Sequence, residues 1–271
     1  MKPRIRSAAR LSLPLATALA ALLVHTVPSA YAASGTWTGA NATANWGFLT
    51  NWVSSTEASG VGFTATFGNS FNNGYTINLN ANRTIGNITL NNNAANNFVI
   101  NQINNSILTL DVTSGSPTIN VTNAARSLTL SMPVAGADGM TKSGPGTLVL
   151  SGLNTFTGNV TVSAGTLVAG IAGTGGNSAL GGSLASKTIN VNTGGTLRFD
   201  VGNVFNNNFS SAATSLPALN IAGGTMTNGG TATNSALGNM TLAGGTLTAT
   251  TGSPIGTGQS GEGWGSWNLN G

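Results

Sequence analysis

Acid–base and nucleophilic catalysis need carboxylates, imidazoles or thiols that converge on one place. The 271-residue chain holds a single histidine, His25, and no cysteine. Beyond residue 32 its acids are Glu57, Asp111, Asp138, Asp200 and Glu262, and its bases are Arg83, Arg126, Lys142, Lys187 and Arg198. Cleaving a glycosidic bond would require a pair of facing carboxylates. Asp111, Asp138 and Asp200 lie 27 and 62 residues apart, out of phase with the repeat described below. No Asp-rich nonapeptide of the calcium-binding kind occurs. The expectation is therefore no catalytic residue, no cofactor-binding residue, no metal ligand and no cofactor.

His25 belongs to a segment with the layout of a secretory signal peptide. Lys2, Arg4, Arg6 and Arg10 make a basic start, and Leu11 to Val24 is apolar apart from Ser12, Pro14 and Thr17. Ala30-Tyr31-Ala32 then offers small residues for cleavage before Ala33, with cleavage after Ala33 an equal alternative. The apolar run is too short and interrupted for a membrane span. Four of the nine Lys and Arg leave with residues 1–32, so a formal charge of +4 falls to zero, five bases against five acids. No basic stripe remains for nucleic acid or anionic lipid. Without cysteine, an exported chain must be held by packing and backbone pairing alone.

The elements that would position any site are short strands. Thr76-Ile77-Asn78-Leu79, Asn87-Ile88-Thr89-Leu90, Phe98-Val99-Ile100 and Ile107-Leu108-Thr109-Leu110 alternate apolar with polar residues. So do Thr118-Ile119-Asn120-Val121, Ser127-Leu128-Thr129-Leu130, Thr147-Leu148-Val149-Leu150 and Asn159-Val160-Thr161-Val162. That period of two marks half-buried strands, with Gly, Asn, Ser and Pro supplying the turns between them. Leu90, Leu110, Leu130 and Leu150 fall 20 residues apart, with a second set at Ile77, Val99 and Ile119. A strand about every ten residues, repeating about every twenty, predicts a solenoid whose coils bury their apolar edges on one another.

A second signal is Gly-Thr-Leu, at Gly146, Gly165, Gly195 and Gly245, with Gly224-Thr225-Met226 as a variant. Its intervals of 19, 30, 29 and 21 residues imply coils with longer loops, placed at Gly173–Gly182 and in the Asn206–Ser211 region. An antiparallel sandwich would also use short strands, but it does not require them to recur in register. The expected fold is all-β, a right-handed parallel β-helix. The Asn-X-Ser/Thr triplets, such as Asn87-Ile88-Thr89, read as strand composition. The Asn runs at Asn91–Asn93, Asn96–Asn97 and Asn206–Asn208 read as turns or amide ladders.

Residues Met140–Gly170 resemble the autotransporter-associated β-strand repeat of exported bacterial passengers. The resemblance rests on Lys142, Gly144, Gly146-Thr147-Leu148, Leu150-Ser151-Gly152, Asn154-Thr155, Thr157-Gly158, Thr161-Val162 and Ala164-Gly165-Thr166-Leu167. Ser178-Ala179-Leu180-Gly181 is similar to the loop that trails such units. The early Trp37-Thr38-Gly39, Asn45-Trp46 and Asn51-Trp52 and the late Trp264–Gly271 are also of this type. The resemblance implies a β-helix passenger on the cell surface or released. Many such passengers are longer and lead into a transmembrane β-barrel. The chain is accordingly expected to be a fragment or truncated passenger whose translocator barrel lies outside it.

This gives a signal peptide at 1–32, a Trp-rich capping region at 33–75 and β-helix repeats at 76–271, with the best repeat at 140–170. Trp37, Trp46 and Trp52 near one end and Trp264 and Trp267 near the other are expected to cap the solenoid, the alternative being a sugar-stacking platform. The expected function is a non-enzymatic surface or secreted adhesion or spacer module. Its expected partners are surface glycans or a host or neighbouring-cell surface, with no nucleic acid and no transmembrane segment after residue 32. The alternative function is a glycan-binding or polysaccharide-degrading β-helix.

Overall fold

The computed structural model describes residues 32–40, 43–68, 76–91, 96–205, 216–229, 240–248 and 267–270. Residues 1–31 of the expected signal peptide at 1–32, residues 206–211, where a longer loop is expected, and Trp264 lie outside them. Within the described residues the chain is a parallel β-solenoid with two main sheets, of 12 and 8 strands, and no α-helix.

Alternation along each strand decides which side chains enter the space between the sheets. Ile77 and Leu79, Leu128 and Leu130, Leu148 and Leu150, Ile189 and Val191 are buried, while the residues between them face outward. Each fully buried aliphatic side chain contributes roughly 1.5–3 kcal/mol over its exposed state. Stacked coils place these residues directly over one another, so the core is continuous from Trp37 to Met240.

In the eight-stranded sheet the register follows the Gly-Thr-Leu series. Leu148 pairs with Leu167, Leu167 with Leu197, Leu197 with Met226, and Met226 with Leu247. The uneven intervals are therefore true coil lengths. The repeat of about twenty residues expected up to Leu150 is a true coil length between Leu130 and Leu150 but not between the earlier leucines. Leu90 pairs with Phe67 and Val121, Leu110 with Ile85, and Leu130 with Ile100 and Leu150. Of the evenly spaced leucines, only Leu130 and Leu150 occupy neighbouring rungs of one ladder; Leu90 and Leu110 sit on different faces.

The reason is a third face in the early coils. Strand Arg83–Leu90 bends midway: Arg83–Ile85 pairs with Leu108–Leu110, and Ile88–Leu90 pairs with Ile119–Val121. Gly86 stands at the bend, where a Cβ would collide with the backbone of Gly62 on the adjacent coil. Three strands per coil and loops of varied length mimic a ten-residue beat without sharing a register. Later, the long coil between Leu167 and Leu197 holds the small antiparallel pair Asn177–Ser178 and Gly181–Gly182, inside the loop expected at Gly173–Gly182.

The segment before the first full coil supplies a rung to both sheets. Gly35–Trp37 pairs with Ala65–Phe67, and Asn45 bridges Asn78 on the other sheet. Trp37, Trp46 and Trp52 turn inward and meet Phe67, with Trp37–Trp52, Trp46–Trp52 and Trp46–Phe67 centroids at 5.0, 5.2 and 5.4 Å in edge contacts. Both central indole N–H groups are satisfied: Trp46 Nε1 donates to Ala58 O at 3.1 Å and Trp52 Nε1 to Trp46 O at 2.7 Å. The chain at Asn51–Ser59 then covers the outer side of Gly35–Trp37, through Thr38 N–H to Asn51 O at 2.7 Å and a reciprocal Ala33–Ser59 pair. An otherwise open sheet edge is closed this way. Glu57, buried, forms an ion pair with Arg83 that fastens this covering segment to the next coil. Replacing Trp46 with Ala is expected to cost about 3–5 kcal/mol in urea unfolding. Phe48→Ala, at a side chain 41% exposed, should stay within about 0.5 kcal/mol.

Candidate functional site

The polar residues of the 140–170 unit are the candidate site, because they are the side chains most able to do chemistry inside the repeat. Lys142 lies on strand Met140–Ser143, where alternation puts Met140 and Lys142 inward. Its rung neighbours are Ile119 and Val162, so a cation occupies a place that aliphatic residues fill above and below. The side chain is fully buried, and Nζ donates to Ser143 O and Gly144 O at 2.7 Å and to Ala164 O at 3.1 Å. All three ammonium hydrogens are thus used on backbone carbonyls, two in its own turn and one a coil further on.

Asn154 works in the same manner. Its Oδ1 accepts from Val134 N–H at 2.8 Å, and its Nδ2 donates to Ala179 O at 2.6 Å. Those partners belong to the preceding and following coils, so one buried amide joins three coils. Ser178 Oγ completes the neighbouring loop by donating to Gly181 O at 2.8 Å and accepting from Leu180 N–H at 3.0 Å.

Lys187 is a second buried ammonium. Nζ donates to Phe156 O at 3.1 Å and to Leu180 O, and it sits 4.1 Å from the Phe156 ring centroid in a cation–π contact. Gly181 has φ +88° there, and a Cβ would fall on both Nζ and Phe156 O, so only glycine leaves room for the ammonium. Burial pulls the pKa of Lys187 down to about 7 and that of Lys142 down to about 8. Among the described residues, no carboxylate shares in either arrangement.

The acids stay apart in their roles. Asp138 Oδ2 accepts from Val112 N–H at 2.9 Å, closing a turn beside Asp111, whose carbonyl accepts from Gly62 N–H at 2.9 Å. Asp200 forms a bidentate, half-exposed pair with Arg198 at 2.6 and 2.8 Å. Glu262 lies outside the described residues. Among the described residues no three His, Asp or Glu side chains gather to hold a metal ion. A shallow depression of about 290 Å³ is lined by Ser34, Gly35, Thr36, Val53, Ser54, Thr56 and Thr66, none of them titratable. The Trp cluster offers no sugar platform, since Trp37, Trp46 and Trp52 are at most 3% exposed.

The arrangement is a structural stitch: Lys142, Asn154 and Lys187 each tie one coil to the next, and Ser178 fixes the loop between them. Sequence reasoning marked Lys142 and Asn154 as motif positions without their roles and passed over Lys187. The signal for Lys187 is present in Lys187-Thr188-Ile189-Asn190-Val191, where it occupies the apolar phase of the strand.

The fold is thus a two-sheet parallel solenoid in which buried polar side chains of the 140–170 unit bind the backbone of adjacent coils. Residues 140–169 match the passenger-associated-transport-repeat family. The chain is 32% identical over 169 residues to the "Adhesin BmaC autotransporter" of Brucella suis biovar 1 (strain 1330), an alignment covering 61% of this chain and 4% of that adhesin. No solved structure matches it.

The buried polar groups give two measurable outcomes. Asn154→Ala leaves Val134 N–H and Ala179 C=O unpaired in the core and should cost about 3 kcal/mol, read by urea unfolding. The lysines make stability rise with pH. Below about pH 7 each lysine is charged whether folded or unfolded, and the folded state bears the cost of burying it. Between the folded values of about 7 and 8 and the unfolded 10.5, the folded chain releases protons that the unfolded chain keeps. Stability therefore increases across that window and levels above it. Thermal melts from about pH 6 to 10 test this, and Lys187→Met should flatten the lower part of the rise.

Proposed function

We propose that the chain is an exported, non-enzymatic passenger module that acts at the bacterial surface in adhesion or as a stiff spacer. The observation that supports this most is the use made of its motif polar groups. Lys142, Asn154, Ser178 and Lys187 all direct their hydrogen bonds to backbone atoms of their own or neighbouring coils. A side chain consumed in this way is not free to carry a substrate's proton or charge. What remains is an elongated body whose length grows by about 4.8 Å with each coil. The passenger-repeat match and the likeness to a protein named as an adhesin support the same reading. The basic start, the apolar run and the small residues Ala30, Ala32 and Ala33 fit removal of a leader during export.

The test has two arms. The full chain, expressed in a Gram-negative host, should be cleaved at Ala32 or Ala33 and recovered from the periplasm, and should reach the surface when fused to a translocator barrel, read by N-terminal sequencing and protease shaving. The purified chain should bind immobilised cell-surface material saturably, and release no reducing sugar from a polysaccharide panel. Turnover that survives repurification, or retention in the cytoplasm with the leader intact, would sink the proposal.

A further inference from the structure

The bond at which a leader would be removed is built into the capped end of the solenoid. Ala33 forms an antiparallel bridge with Ser59. Its N–H donates to Ser59 O at 2.8 Å, and its carbonyl accepts from Ser59 N–H at 3.0 Å. Ser34 Oγ accepts from Thr64 N–H at 2.9 Å. Ala32 lies against Gly60, where φ is +113° and a Cβ would come within 2.6 Å of the Ala32 Cβ. Strand Gly35–Trp37 follows at once, held by Ala65–Phe67 on one edge and by a bridge from Trp37 to Trp52 on the other. A Cβ on Gly35 would meet Thr56 O at 2.5 Å and Ala58 N at 2.8 Å, so the covering backbone lies directly over this rung.

A protease takes its substrate as an extended segment and grips the backbone on both sides of the scissile bond. Hydrolysis here breaks the C–N bond between Ala32 and Ala33. Water's oxygen completes the new Ala32 carboxylate, and both its hydrogens end on the Ala33 nitrogen, which becomes an ammonium. In the folded cap that nitrogen is engaged with Ser59, and the residues after it are fixed between two backbones. Drawing Ala33–Trp37 into a cleft would break the Ala33–Ser59 pair. It would also pull Trp37, buried in the Trp cluster, out of the core. Ala32 is exposed, so the leader side of the bond is open while the other side is closed. In an unfolded chain both sides can extend.

We propose that closure of the Trp cap seals the Ala32–Ala33 bond, so that a leader is cut there before the cap folds and a folded precursor is no longer a substrate. This rests on the exported reading for the presence of a leader, and it selects one of the two cuts. The unfolded chain is cut where small residues precede the bond. A cut after Ala32 places Ala30 three residues back, whereas a cut after Ala33 places the bulky Tyr31 there. The same choice serves the fold. With Ala33 first, its ammonium still donates to Ser59 O and its carbonyl still accepts, the former now as a stronger, charge-assisted bond. With Ser34 first, both bonds to Ser59 are lost.

The test offers two substrates to a purified bacterial leader peptidase in detergent micelles. One is the folded full chain with its leader, made by cell-free translation; the other is a peptide of residues 20–38. The peptide should be cut between Ala32 and Ala33, read by mass, and the folded chain at least about tenfold more slowly, since cleavage then waits on opening of the cap. Ser59→Pro, which removes the N–H that the Ala33 carbonyl accepts, should bring the full chain close to the rate of the peptide. Because that variant can also unfold the cap, hydrogen exchange on the wild-type full chain supplies a second reading. Its Ala33 N–H should exchange at least about tenfold more slowly than in the peptide. Equal cutting of folded chain and peptide overturns the proposal, as does an unprotected Ala33 N–H or an exported chain that begins at Ser34. A peptide that is not cut at all sinks the leader itself and this inference with it, so the two failures are told apart.

Discussion

Everything in this molecule depends on keeping each coil in parallel register with the next. Backbone N–H and C=O groups of one coil find their partners on its neighbours, and a slip of one residue would turn every apolar side chain outward. Leu148, Leu167, Leu197 and Met226 stay in line although the coils between them differ in length by up to eleven residues. Loops absorb that difference on the outside while the ladder holds its phase. Tolerance of insertions and intolerance of register error are two sides of one constraint.

That constraint explains the buried polar groups. A corner in a solenoid turns carbonyls away from the regular ladder, and a buried carbonyl without a donor is costly. Lys142 supplies three donors at one such corner and Lys187 supplies donors at another. Asn154, with an acceptor and donors on one short side chain, serves a corner that exposes both kinds of orphan. The desolvation that lowers both lysine pKa values is the cost of this solution. A shorter, neutral residue could not reach the carbonyls from the strand position that Lys142 occupies.

Much of the fold was legible because alternation is a local property. Strand positions, inward faces and the Gly-Thr-Leu ladder were readable residue by residue. The coil length was not, since equal spacing of Leu90, Leu110 and Leu130 arises from three strands on different faces. Only pairing across coils distinguishes these, and pairing is a tertiary property. Tryptophan types and positions were readable, but the choice between platform and packing needed the burial of Trp37, Trp46 and Trp52. The candidate site was half legible: the motif marked Lys142 and Asn154, while their work on backbone atoms of adjacent coils leaves no trace in residue spacing.

The division between inside and outside then separates the roles of the polar residues. Inside, Lys142, Asn154, Ser178 and Lys187 engage backbone and Glu57 pairs with Arg83, so they fix structure. Outside, Thr and Asn recur rung after rung with few charges, so they make a surface that is uniform along its length. A repeated surface gives small interactions that add over distance. The same register that satisfies the backbone also lines up the outer hydroxyls and amides, so the requirement for stability and the capacity for extended contact arise from one geometry.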